Sequence, residues 1–82
     1  MIPLAFANEG SLVKIVEIRA GQGLTRRLAE LGLTQGSTLK VVKSSSPGPV
    51  IVEVVNGNGY TDSWRVMLGF GITMKVFVEN WG

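Results

Sequence analysis

Gly23-Leu24-Thr25-Arg26-Arg27-Leu28-Ala29-Glu30-Leu31-Gly32-Leu33-Thr34-Gln35-Gly36 is the stretch on which the reading of this chain turns. Leu24, Leu28 and Leu31 recur at i, i+4 and i+7, the spacing of one apolar stripe along a helix. Thr25 is a candidate N-cap and Gly32 a C-terminal stop. About two turns of helix do not persist alone in water, so this segment must dock on something else.

With Thr25 as the cap, Arg26 and Arg27 fall in the first helical turn. There they oppose the positive end of the helix dipole, at about 0.3–1 kcal/mol between them when exposed. Glu30 offsets part of this by pairing at i+3 and i+4, although arginine before glutamate is the weaker order. The bland reading is a solvated face with arginine stems lying on apolar surface. The functional reading is an anionic partner: an acidic protein patch, a nucleotide phosphate or lipid headgroups. A local rule broken without compensation favours the functional reading. Arg19, two residues before the Gly21-Gln22-Gly23 break, is a candidate to join the pair.

Outside this segment the chain is written in strand pattern. Leu12-Val13-Lys14-Ile15-Val16-Glu17-Ile18-Arg19 reads as a β-branched strand, with Leu12, Val16 and Ile18 facing inward and Lys14 an awkward fourth. Thr38–Lys43 and Val50–Val55 are second and third strands, separated by the Ser44–Pro49 loop. Asn56-Gly57-Asn58-Gly59 is the strongest turn signal, because Asn-Gly accepts positive φ readily. Tyr60–Leu68 forms a fourth strand with Trp64, Val66 and Leu68 on one face. Gly69-Phe70-Gly71 turns the chain, Ile72-Thr73-Met74 fits a single helical turn, and Lys75–Glu79 is the fifth strand. Leu28, Leu31, Val41, Val52 and Val76 are assigned to the core; Phe70, at a glycine-flanked tip, is a candidate for exposure, with a tucked ring as the alternative. Five short strands in so short a chain define an all-β small barrel or sandwich.

The 82 residues make one domain, residues 1–82. Eight Lys/Arg against six Asp/Glu leave a net charge of only +2. That charge is scattered and does not read as a nucleic-acid footprint. Cysteine is absent, which excludes a disulfide framework and fits a reducing cytosol. No run approaches the roughly 20 apolar residues of a membrane span. Met1-Ile2-Pro3-Leu4-Ala5-Phe6-Ala7 is apolar but lacks the basic start of a signal peptide, and is expected to pack on the domain.

Catalytic and metal chemistry find little material. The chain has neither Cys nor His, so no nucleophile–base pair of the usual kind can be built. Glu9, Glu17, Glu30, Glu53, Asp62 and Glu79 are dispersed, and are expected to be solvated charges rather than metal ligands. Gly21-x-Gly23, Gly57-x-Gly59 and Gly69-x-Gly71 lack the remainder of a phosphate-binding loop and read as turns. The expectation is a non-enzyme with no cofactor and no metal site.

Taken in order, several pieces resemble a known family. They are Arg26-Arg27-Leu28-Ala29-Glu30-Leu31-Gly32-Leu33-Thr34-Gln35-Gly36, Gly48-Pro49-Val50, Arg65-Val66-Met67-Leu68-Gly69 and Met74-Lys75-Val76-Phe77-Val78. The series is similar to FeoA, the small cytosolic protein of ferrous-iron uptake systems, and to the SH3-like C-terminal domain of DtxR-type repressors. The resemblance runs from Leu4 to Glu79. It implies an SH3-like five-stranded barrel with one short inserted α-helix. It also implies a cytoplasmic accessory or regulatory role beside FeoB, the membrane iron transporter with a cytosolic GTPase region, and a family-level association with transition metals. Phe70 departs from the family, which often carries a basic residue between these glycines, and the Val55–Arg65 connection is long for it.

The partner-binding residues expected on these grounds are Arg19, Leu24, Arg26, Arg27, Glu30, Leu33 and Phe70. The arginines would orient an acidic or phosphate-bearing partner, and Leu24 or Leu33 would anchor it. The alternative is a stand-alone SH3-like peptide-binding or iron-regulator module. The six aromatics are too dispersed to suggest a polyproline groove, and nucleic-acid binding ranks last. Exposed edge strands of an open barrel would allow copies to pair, so the oligomeric state is left open.

Overall fold

The computed structural model describes residues 1–45, 47–55 and 63–81. Six strands form one antiparallel sheet: β1 (Ile2–Pro3), β2 (Leu12–Ile18), β3 (Thr38–Ser44), β4 (Val50–Val54), β5 (Trp64–Leu68) and β6 (Val76–Asn80). Helix α1 (Gln22–Glu30) lies between β2 and β3, and the single-turn helix α2 (Phe70–Thr73) between β5 and β6. Strand order is β1-β6-β2-β3-β4-β5, so among the described residues β1 and β5 are the two ends of the sheet.

The expected mainly β fold with one short inserted helix is what forms, with a sixth strand added by the N-terminus. Ile2 and Pro3 pair with Val78 and Phe77. The 3-10 turn that follows buries Leu4 and Ala5. The apolar opening segment therefore packs on the domain, as its composition suggests. The Asn56–Gly59 turn and the Tyr60–Asp62 start of the expected fourth strand lie outside the described residues.

Two bulges bend the sheet around its core. In β2 the register shifts between Ile15 and Glu17, leaving Val16 as the extra residue opposite β6. In β3 it shifts between Val41 and Lys43, leaving Val42 unmatched. An extra residue breaks the two-residue alternation and increases local twist, as closing a small sheet on itself requires.

The first bulge corrects the expected face of β2. Val13 and Ile15 are buried, whereas Leu12 and Lys14 are exposed. Past Val16 the phase changes, so that Ile18 pairs with buried Val76 and packs on the core. Lys14 is not inward-facing but lies 5.5 Å from the Trp81 ring centroid on the outer surface.

The core is aliphatic: Leu4, Val13, Ile15, Leu28, Leu33, Leu39, Val41, Val50, Val52, Val54, Val76 and Val78 are all but fully buried. Burial of each such side chain is worth about 1.5–3 kcal/mol. Two polar residues share the interior, Ser37 and Thr73. Thr73 donates its hydroxyl to the Phe70 carbonyl at 2.9 Å. Ser37 does more, because it ties the loop after α1 together. Its Oγ donates to the Gly32 carbonyl at 2.9 Å and accepts the Thr34 N–H at 3.1 Å.

Candidate partner-docking surface

Helix α1 is a lid held at both ends. It begins one turn earlier than Thr25 would imply: Gly21 is the N-cap, with no side chain to offer, and Gln22 is the first helical residue. Thr25 sits inside the helix, and its hydroxyl donates to the Ala20 carbonyl at 3.3 Å. The start is fixed to the sheet through Arg19, whose N–H donates to the Lys75 carbonyl at 2.8 Å.

The C-terminal end follows the Schellman pattern. Gly32 N–H donates to Ala29 O and Leu33 N–H to Leu28 O, both at 2.9 Å. Gly32 has φ +85°, which glycine adopts without the penalty other residues meet. Leu28 and Leu33, the hydrophobic pair that accompanies this motif, are each 1% exposed. Trp64 of β5 closes over the turn and donates its indole N–H to the Leu31 carbonyl at 2.9 Å. The ring lies so close to Gly32 that a Cβ there would stand 2.5 Å from Trp64 Cζ2.

This geometry relocates the arginines. Arg26 and Arg27 are not in the first turn: Arg27 belongs to the last, where a cation complements the helix dipole. The expected local charge conflict comes from placing the helix start too late. Both side chains are exposed, and among the described residues neither makes an ion pair. Glu30 is also exposed and does not pair with them. The outer face of α1 thus carries two exposed cations that make no ion pair among the described residues, on a helix fixed at both ends.

The other expected site residues divide. Arg19 is engaged: its Nε donates to Glu17 Oε2 at 2.6 Å, and its guanidinium lies 4.3 Å from the Phe77 ring centroid. The hydrogen bond that Arg19 donates to Glu17, and then the charge of Glu17, raise the Arg19 pKa above the ordinary arginine value, so it stays cationic. Leu24 is half-buried against the core and Phe70, the first residue of α2, is half-buried. Leu33 is buried, so it cannot serve as a surface anchor. Leu31, expected in the core, is instead 38% exposed, beside Trp64 at 39%.

Trp64 is the residue whose role the sequence did not disclose. Its alternation with Val66 and Leu68 gives its face, but nothing local shows that a helix end lies opposite. Among the described residues, no group of three His, Cys, Asp or Glu could hold a metal ion. Glu9 accepts the Ser44 N–H at 2.9 Å, Glu53 lies 3.7 Å from Arg65, and Asp62 is outside the described residues. No helix among the described residues is long and apolar enough to cross a membrane.

Fold and surface together define a small SH3-like β-module capped by a helix that presents cations. Residues 2–80 match the model of the FeoA domain, and the chain belongs to that family. It is 40% identical over 80 residues to the "Putative Fe(2+) transport protein A" of Methanocaldococcus jannaschii, covering 98% of this chain and 88% of that one. Its fold is similar to the crystal structure of an iron uptake regulatory protein, FeoA, with a TM-score of 0.77 and 30% identity over 98% of this chain and 96% of the other. It also superposes, at a TM-score of 0.81 and 21% identity, on 36% of a manganese-dependent transcriptional repressor, covering 98% of this chain. At that identity the last likeness speaks for the fold alone.

Proposed function

We propose that this protein is a cytoplasmic, non-enzymatic accessory of ferrous-iron uptake that docks on the cytosolic part of a FeoB-like transporter. The outer face of α1 makes the contact. Arg26 and Arg27 steer and orient an acidic or phosphate-bearing surface, and Leu31 beside Trp64 supplies the apolar contact. The observation that carries this reading is the pair of exposed arginines that make no ion pair among the described residues, on a helix clamped by the Schellman turn and by Trp64. Membership of the FeoA family and the name of the archaeal relative support the iron-uptake setting.

A clamped helix makes this economical: little side-chain or backbone order is lost on binding when the scaffold is already fixed. Charges at the edge of an interface act mainly on association rate and salt dependence. The test is binding of the purified protein to the soluble domain of the transporter, with Arg26→Glu plus Arg27→Glu as the variant. Association should slow by about tenfold or more and lose most of its salt dependence. Unchanged binding by a folded double variant would remove α1 from the contact.

A further inference from the structure

We infer that β5 pairs with the β5 strand of a second copy, joining two sheets edge to edge about a two-fold axis through Val66. This goes beyond the transporter contact and does not depend on it. Of the two ends of the sheet, β1 is two residues long and contains Pro3, which has no N–H to donate. β5 has five residues, none of them proline, and among the described residues pairs with β4 alone. It is the one edge described that can template another strand. A β5-to-β1 contact is blocked by the short proline edge, so the pairing closes as a symmetric dimer rather than growing into a fibre.

Strand geometry restricts the register. Directly opposed residues of an antiparallel pair share a face, and faces alternate along each strand. A strand paired with itself must therefore centre on a residue, not between two. Centring on Arg65 sets that cation against its twin, which is unfavourable. Centring on Met67 leaves both Trp64 and Arg65 without opposing strand residues. Centring on Val66 uses all five residues. Val66 meets its twin, and Trp64 meets the second copy's Leu68 on the inner face. On the outer face Arg65 meets the second copy's Met67, whose side chain is otherwise the most exposed large apolar group described, at 67%. Half-exposed Val66 gains its twin as an apolar neighbour, and no like charges oppose each other. A contact of two five-residue edges is small, so the dimer is weak, with association in the range of about 10 µM to 1 mM.

The chain has no native cysteine, which permits a clean test. Val66→Cys places one thiol directly opposite its twin, within the Cα separation a disulfide spans. Met67→Cys places it opposite Arg65, diagonal to its twin. Mild oxidation at about 0.5 mM protein should cross-link the first several-fold faster than the second. Analytical ultracentrifugation gives the independent arm. Met67→Glu, which sets a carboxylate against Arg65 twice, should tighten the dimer about tenfold, and Met67→Arg should leave a monomer. Residue 67 faces outward, so both variants keep the fold. A wild-type chain that stays monomeric at about 1 mM overturns the inference. So does a dimer with the same midpoint in all three proteins, or cross-linking at equal rates.

Discussion

Gly32 is the residue on which the lid turns, for two separable reasons. Its φ of +85° costs a non-glycine residue about 1–2 kcal/mol. Independently, Trp64 occupies the space a Cβ would need. Gly32→Ala is expected to lower stability by more than the backbone cost alone, read as a shift in the urea midpoint, with Trp64 fluorescence altered in the native state. Ser37 belongs to the same turn. Ser37→Ala leaves the Gly32 carbonyl and the Thr34 N–H without their partner, and should cost about 1–3 kcal/mol by the same measurement. The glycine stop was legible because Gly32 directly follows the leucine stripe, although the buried pair the motif uses is Leu28 with Leu33. Ser37 and Trp64 were not, since each gains its role from a partner brought in by folding.

At the scale of elements, helix and strands were legible in type and order, whereas their starts and faces were less so. Thr25 is a better N-cap residue than Gly21, so local chemistry pointed to the wrong turn; the chain instead uses the Thr25 hydroxyl on Ala20. That displacement reversed the expected electrostatics of α1. With Arg27 in the last turn, Arg27→Glu should destabilise the protein, by about 0.3–1 kcal/mol at low salt. A first-turn arginine would give the opposite sign, so thermal denaturation of this one variant distinguishes the two placements. In β2 the alternation failed because a bulge at Val16 changes the phase, and a bulge leaves no mark in a run of β-branched residues. The same device in β3 frees Val42 and helps curl the sheet that α1 covers.

Among the described residues the molecule is a curled sheet that presents the cationic outer face of α1 and the edge of β5. Trp64 links them, since it lies on β5 and holds the end of α1. The candidate site was only partly legible. Arg26 and Arg27 were visible as cations beside a leucine stripe, but the exchange of Leu31 and Leu33 between core and surface was not, because the helix ends between them. Docking through α1 is tested most directly by chemical-shift mapping of the isotope-labelled protein with the transporter's soluble domain. Perturbations should concentrate at Gln22–Leu31 and the Trp64 indole, and should shrink steeply in the Arg26→Glu, Arg27→Glu protein. Shifts confined to β1 and β6, or unchanged by the double variant, would contradict docking through this helix.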